Sequence, residues 1–345
     1  MQKKQYTLED FDFDLPEDLI AQYPAETRDA SRLFVLDRRN GTYLHTRFSH
    51  LHEFLRRGDL LVFNDARVIP ARITCARASG GIVEILLVRQ VGDRVWLAAS
   101  NRTRRIRPGE ILVPLKNGSI RFMVKKRDSE LLEIEPDAVL TEAVLSSIGE
   151  IALPPYIRRK ASALDAERYQ TVYARQGRAA ASPTAGLHFT EGLMERVRAA
   201  GTDAAFVTLD VSWGTFRPVR THRIQDHSMH RERYTLSEES ARSINRARDA
   251  GARIIAVGTT ALRVLETTLE GGKNAPGSGD TDLFLYPPKT VESADSLITN
   301  FHTPRSTLLM LAAAFAGYDM IMKAYREAVE KRYRFFSYGD AMLIV

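Results

Sequence analysis

Residues 253–260 read Arg-Ile-Ile-Ala-Val-Gly-Thr-Thr. The apolar run Ile254-Ile255-Ala256-Val257 suits a buried strand and is too short for a helix. Gly258-Thr259-Thr260 follows, and a helical pattern runs from residue 260 to 269. Glycine lets a ligand approach the backbone, and free N–H groups at the start of a helix favour anions or carboxylates. The same texture recurs on both sides of this stretch. Residues 32–37, Leu60-Leu61-Val62-Phe63, 204–211 and 297–301 read as strands. Residues 51–57, 166–175, 191–200, 237–250 and 306–317 read as helices, and 273–282, with Pro276-Gly277-Ser278-Gly279, as a loop. Such alternation predicts an α/β fold with a parallel or mixed sheet.

Between residues 68 and 135 the texture changes. Six short β-like runs (69–76, 82–89, 94–99, 110–114, 120–125 and 131–135) are separated by Gly80-Gly81, Gly92-Asp93, Pro108-Gly109 and Asn117-Gly118. Asn-Gly between alternating runs is a strong hairpin signal, and six strands in so short a stretch predict a small antiparallel barrel. The expected organisation is a mixed α/β domain of residues 1–66 and 151–345 with a β-barrel domain, 67–150, inserted into it.

The chain has 345 residues, enough for about two domains, and ordinary apolar (44%) and charged (27%) fractions that exclude a disordered or collagen-like chain. Its single cysteine, Cys75, excludes an internal disulfide framework and a three-cysteine iron–sulfur site. The N-terminus has no signal-peptide pattern, and no apolar run approaches a membrane span. A cytoplasmic protein is expected. The net charge of +6 is compatible with a polyanionic partner and equally with ordinary surface charge.

Three strands lead into polar, small-residue loops: Gly258-Thr259-Thr260, Thr299-Asn300-Phe301-His302, and Ser212-Trp213-Gly214-Thr215-Phe216. Each alone reads as a helix cap or a turn. Together they predict a ligand site, because ligands of open α/β sheets sit outside the carboxyl ends of the strands. Pro183 to Phe189 precedes another helix, and its His188 reads either as an acid–base group or as a capping residue. His222, His227 and His230 lie close together, but their spacing matches no metal motif. That loop reads as carrying a catalytic or anion-binding histidine, or as a solvated basic loop. Arg102, Arg104, Arg105 and Arg107, with Lys125, Lys126 and Arg127, form a basic cluster. It suits a phosphate backbone or is solvated surface, and 101–108 lacks an aromatic for base stacking. Dinucleotide, phosphate-loop and nucleophile-elbow signatures are absent.

The specific strings go further. Phe11-Asp12-Phe13-Asp14-Leu15-Pro16, Ile20 to Pro24, Arg28 to Leu33, Gly58 to Asp65, Arg67 to Arg72, Leu153-Pro154-Pro155-Tyr156-Ile157 and Pro183 to Phe189 stand in order. Gly214-Thr215-Phe216, Met229-His230, Val257 to Thr260, Thr299 to His302 and Tyr333 to Met342 complete the set. Over essentially its whole length the chain resembles the S-adenosylmethionine:tRNA ribosyltransferase-isomerases of queuosine biosynthesis. It departs from their pattern at Ser212, where glycine is expected, at Arg231, where serine is expected, at Thr303, where leucine is expected, and around Pro287-Pro288-Lys289.

The resemblance implies that the ribosyl part of S-adenosylmethionine is moved onto the aminomethyl group of 7-aminomethyl-7-deazaguanine at the wobble position of tRNA. The products are epoxyqueuosine-tRNA, adenine and methionine. S-adenosylmethionine is then a consumed cosubstrate; no true cofactor and no metal are expected, and the protein is expected to be a monomer. The matched strings assign acid–base roles to His188, His302 and His230, with Asp65 as a further carboxylate. Cosubstrate contacts are expected at Gly214, Gly258, Thr259, Thr260 and Asn300, whose loops follow strand ends, and RNA phosphate contacts at Arg67, Arg72, Arg102 and Arg105. Two rivals stand beside this reading: a non-catalytic RNA-binding protein, and an S-adenosylmethionine-dependent RNA methyltransferase, which the missing glycine-rich loop disfavours.

Overall fold

A computed structural model describes residues 5–211 and 219–345. Its main layer is a nine-stranded mixed sheet. In spatial order the strands are Gly277–Thr281, Glu232–Leu236, Asp203–Leu209, Leu60–Asn64, Ile254–Val257, Ser296–Asn300, Ala341–Ile344, Arg32–Asp37 and Thr42–Arg47. The four from Asp203–Leu209 to Ser296–Asn300 are parallel neighbours, so their carboxyl ends lie on one side. Ala341–Ile344 runs antiparallel to Ser296–Asn300 and parallel to Arg32–Asp37, which brings Ala341 and Leu33 to that same side.

Side chains alternate across a strand, so the apolar run Leu60–Phe63 serves two cores. Leu60 and Val62 join Ile244, Ala256, Leu262 and Leu265 on one face. Leu61 and Phe63 join Phe189, Leu193, Val197 and Val257 on the other. Helices Glu238–Asp249 and Thr259–Thr267 therefore cover the first face, and helix Glu191–Ala199 the second. Ser237 starts Glu238–Asp249 by accepting a hydrogen bond from the Ser240 amide, with Glu238 and Glu239 set against the positive end of the helix.

The predicted barrel is present and closed. Strands Leu131–Pro136, Trp96–Ser100, Ile82–Gln90, Arg72–Arg77, Ile111–Pro114 and Phe122–Arg127 pair antiparallel around it. Alternate residues fill its interior, among them Ile73, Cys75, Ile85, Trp96, Phe122 and Ile134. Burial pushes the Cys75 thiol up to about 12, so the sulfur is an inert core group. This core runs from Ile69 to Ile148 and shares no buried residue with the two sheet cores. On that separation we propose 67 and 150 as the bounds of the inserted unit.

Three local expectations are corrected. The helix read at 166–175 is Ala163–Arg168, because Asp165 completes a capping box with Ser162 and starts the helix earlier. The element at 51–57 is a 3-10 helix, Phe48–Phe54. The loop at 273–282 contains the edge strand Gly277–Thr281, which pairs with Glu232–Leu236. Among the described residues no single helix is long and apolar enough to cross a membrane; Leu309 to Ala313 of the apolar helix Thr307–Ala316 lie in the core.

Candidate active site

The connection from Leu60–Asn64 to its neighbour Asp203–Leu209 returns through helix Glu191–Ala199 on one face of the sheet, and that from the adjacent Ile254–Val257 to Ser296–Asn300 passes through helix Thr259–Thr267 on the other. Two neighbouring parallel strands whose connections diverge open a crevice at their carboxyl ends. Gly258 turns the chain there. Its φ of +94° suits glycine, its N–H donates to the Ile298 carbonyl at 2.8 Å, and its carbonyl accepts from the Leu262 amide at 3.1 Å. Helix Thr259–Thr267 thus starts at the crevice with its first-turn amides unbonded within the helix. A second helix, Thr307–Ala316, starts at the same place behind Ser306, whose Oγ accepts from the Leu309 amide at 3.2 Å.

Both helix starts line a cavity of about 460 Å³, within the usual range for small-molecule sites. Among the described residues, three buried polar atoms on its walls lack a hydrogen-bond partner: Ser182 Oγ, Thr260 Oγ1 and Asn300 Oδ1. Buried polar groups are normally satisfied, so three orphans on one cavity mark a place for polar ligand atoms. An opposite wall is aromatic. Tyr156 and Phe336 stack at 4.2 Å and 14°, and Tyr156 Oη shares a 2.6 Å hydrogen bond with Ser337 Oγ. Phe336 holds a φ of +72°, a costly conformation for a bulky residue. Arg305 also lines the cavity and pairs with Asp12 at 2.5 Å. No Asp or Glu is among the described lining residues.

Gly258, Thr259, Thr260, Asn300 and His302 all line this cavity. His302 is 7% exposed. Its Nε2 meets Thr299 Oγ1 at 2.8 Å, its amide donates to Tyr325 Oη at 3.1 Å, and its Nδ1 makes no hydrogen bond among the described residues. Burial lowers its pKa to about 3, so the ring is neutral at physiological pH. His188 lies behind Asn300, with Ser31 Oγ at 2.7 Å from Nδ1 and Asn300 Nδ2 at 3.1 Å from Nε2. Burial, then the nearby Arg334 and Arg28, lowers its pKa to about 3 against the opposing Asn300 bond.

Asp65 follows strand Leu60–Asn64 and accepts from Thr208 Oγ1 at 2.7 Å. Burial raises its carboxyl, with Thr208 and Arg175 pulling the other way. Neither Asp65 nor the half-buried His230 lines the 460 Å³ cavity, and the structure does not join them to His302. Among the described residues no three His, Cys, Asp or Glu side chains form a metal-binding group. Gly214 lies outside the described residues. Tyr156, Ser182, Arg305, Phe336 and Ser337 are cavity residues that carried no assignment from the sequence. Tyr156, Phe336 and Ser337 stand in matched strings, which was their available signal.

The barrel carries a second concavity, an open hollow of about 730 Å³ bounded by Arg102, Arg104, Arg105 and Arg220. These guanidiniums are exposed and have no protein partner among the described residues. Their loop is held from below. Arg77 donates to the Arg105 carbonyl at 2.8 Å, and Arg127 donates to the Arg104 and Ile106 carbonyls at 2.9 and 3.0 Å. Arg67 and Arg72 differ, being engaged with Glu142 and with Glu84 and the Leu153 carbonyl.

A family model described as Queuosine biosynthesis protein matches residues 8–344. The chain belongs to this family. An S-adenosylmethionine:tRNA ribosyltransferase-isomerase of Legionella pneumophila (strain Paris) is 47% identical over 343 residues, 98% of this chain and 99% of that one. Its namesake in Carboxydothermus hydrogenoformans is 48% identical over 341 residues, with the same coverage of 98% and 99%. The crystal structure of S-adenosylmethionine tRNA ribosyltransferase from Thermotoga maritima has 37% identity and a TM-score of 0.57, covering 97% of this chain and 100% of that one.

The family read from the motifs is thereby established, and with it the enzyme class, a ribosyltransferase-isomerase of queuosine biosynthesis. Of the departures from the family pattern, Thr303 lines the cavity beside His302. Arg231 is exposed and pairs with Asp282 at 3.7 Å. Ser212 lies outside the described residues.

Proposed function

We propose that this enzyme transfers and isomerises the ribosyl moiety of S-adenosylmethionine onto the aminomethyl group of 7-aminomethyl-7-deazaguanine at the tRNA wobble position. Epoxyqueuosine-tRNA, adenine and methionine are the products. Family membership supports the reaction, and the single observation that carries its placement is the 460 Å³ cavity at the strand ends, with three orphaned polar atoms and His302 on its walls.

The sulfonium acidifies its neighbouring CH2 group. Thr299 Oγ1 donates to the Asn300 carbonyl and so accepts from Nε2–H of His302, which leaves Nδ1 unprotonated and without a partner among the described residues; Nδ1 takes that proton. The glycosidic C–N bond breaks with its electron pair on adenine, which needs a proton in return. The C–S bond breaks with its pair on sulfur, releasing methionine as a neutral thioether. The acceptor amine supplies the electrons of a new bond to the anomeric carbon and loses a proton; the ring C–O bond at that carbon opens, the pair left by the abstracted CH2 proton closes the carbocycle's C–C bond there, and the freed oxygen displaces sulfur to close the epoxide. The helix starts at Gly258 and Ser306 suit the carboxylate of the methionyl part, while the charge of Arg305 is matched by Asp12. We extend the RNA contacts to the hollow of Arg102, Arg104, Arg105 and Arg220, and drop Arg67 and Arg72, whose charges are matched by carboxylates. A tRNA substrate makes the cytoplasm the proposed location.

The test mixes purified protein, S-adenosylmethionine and an anticodon stem-loop carrying the modified base. Equal amounts of RNA adduct and free adenine are expected by mass spectrometry and chromatography. Release of S-adenosylhomocysteine would instead establish a methyltransferase, and intact S-adenosylmethionine with tight RNA binding a binding protein. Replacing Arg102, Arg104 and Arg105 together by alanine is expected to weaken RNA binding. Each lost phosphate contact removes about 0.7 from the slope of log affinity against log salt. Titrations at several salt concentrations check this; an unchanged slope would make the hollow plain solvated surface.

A further inference from the structure

The amide of Asn300 has one orientation. The atom 3.0 Å from the Phe336 carbonyl oxygen must be a donor, because a carbonyl only accepts, so it is the NH2 group. The same Nδ2 lies 3.1 Å from His188 Nε2, which must therefore accept. A neutral imidazole with an accepting Nε2 carries its proton on Nδ1, and Nδ1–H then donates to Ser31 Oγ at 2.7 Å. Ser31 in turn donates to the Arg28 carbonyl at 3.4 Å. Every member has its direction set by the one before it. The chain ends on Asn300 Oδ1, a buried acceptor without a partner on a residue that lines the cavity.

We propose that Ser31, His188 and Asn300 form a fixed hydrogen-bond relay that holds Asn300 Oδ1 ready for an N–H or O–H donor of the nucleoside, and that His188 is a positioning residue rather than an acid or base. The proposal rests on S-adenosylmethionine occupying the cavity. Both ring nitrogens of His188 are engaged within the protein, so proton transfer through it would break the relay. Phe48 lies over the ring at 5.0 Å and fixes its plane. The charges of Arg334 and Arg28 both oppose its protonation. The candidate donors are the exocyclic amine of the purine and the ribose hydroxyls.

The experiment compares binding of S-adenosylmethionine with two analogues, one dimethylated on the exocyclic amine and one with the ribose hydroxyls removed, by calorimetry. In the wild type one of the two is expected to bind roughly 10- to 100-fold more weakly, the cost of stranding a buried acceptor, and which one names the donor. In His188→Gln, whose side-chain oxygen can take the place of Nε2 but cannot shuttle a proton, that discrimination and most of the turnover persist, with an unchanged pH profile. In His188→Ala the Asn300 amide keeps only its bond to the Phe336 carbonyl and can swing about it, so the discrimination collapses to within about threefold. A His188→Gln enzyme without turnover but with intact discrimination would overturn the positioning role. Equal binding of all three ligands by the wild type would overturn the relay. Failure of the wild type to bind S-adenosylmethionine at all would instead remove the functional reading beneath it.

Discussion

Replacing His302 by alanine is expected to lower turnover by about 10²- to 10⁴-fold, the usual contribution of a positioned general base, while S-adenosylmethionine binds nearly as before. His302 follows strand Ser296–Asn300 directly, Thr299 holds its Nε2 at 2.8 Å, and Nδ1 is left for the cavity. Burial has already lowered the imidazole pKa to about 3, and a bound sulfonium would lower it further. A group is unprotonated above its pKa, so His302 stands in its base form from about pH 5 to pH 8 and contributes no acid limb there; the same burial weakens it as a base, which sets its contribution toward the lower end of the about 10²- to 10⁴-fold range. A rise of kcat/KM through neutrality then belongs to the acceptor amine, whose free pKa resembles that of lysine, near 10.4. His302→Gln keeps the bond to Thr299 without the basicity and should lose as much as alanine does. Single-turnover rates of either variant within about tenfold of wild type would remove His302 from the chemistry.

Much of this site was legible because loops after buried parallel strands have a distinctive texture. Val257-Gly258-Thr259 and Asn300-Phe301-His302 each join an apolar run to small or polar residues, and the structure sets both on one cavity. The barrel was legible from hairpin turns and alternation. The opposite wall was not. Tyr156 and Phe336 stand 180 positions apart in a loop and in a turn near the C-terminus, and no local periodicity announces that they stack. Strand Gly277–Thr281 was hidden because Gly-Ser-Gly lacks the side chains that mark a strand, and the edge position requires few of them. His188 and His302 looked equivalent as residues beside strand ends. Their difference lies in partners supplied by Ser31 and Asn300, which only the tertiary fold brings together. Asp65 has the converse history: a carboxylate at a strand end that the fold satisfies with Thr208 instead of turning toward the cavity.

The largest stability effect is expected at Asp165, the carboxylate of the Ser162 capping box. This carboxylate is fully buried. It accepts two bonds from Arg159 at 2.6 and 2.7 Å, two from Ser162 at 2.7 and 2.8 Å, and one from Tyr338 Oη at 2.7 Å. Burial alone would push its pKa up, but these bonds together outweigh burial and hold it below the usual carboxylate range. Removing one member of such a pair strands the other, so Asp165→Ala should cost about 3–5 kcal/mol. The pH dependence follows from the sign of the shift. A carboxyl depressed in the folded state stabilises above its unfolded pKa, about 3.9, and that stability drains away as pH falls from roughly 5 toward the folded value. Urea midpoints should therefore separate wild type from Asp165→Ala most widely at neutral pH and converge in acid. Coincident midpoints at pH 7 would show the network to be energetically idle. The consequence reaches the active site through Tyr338, the residue after Phe336 and Ser337 on the cavity wall. Phe336 holds its strained φ only while its surroundings over-determine it. Loosening Tyr338 should therefore raise the KM for S-adenosylmethionine even in the fraction of Asp165→Ala that remains folded, while His302, anchored by Thr299 and Tyr325, keeps its chemistry.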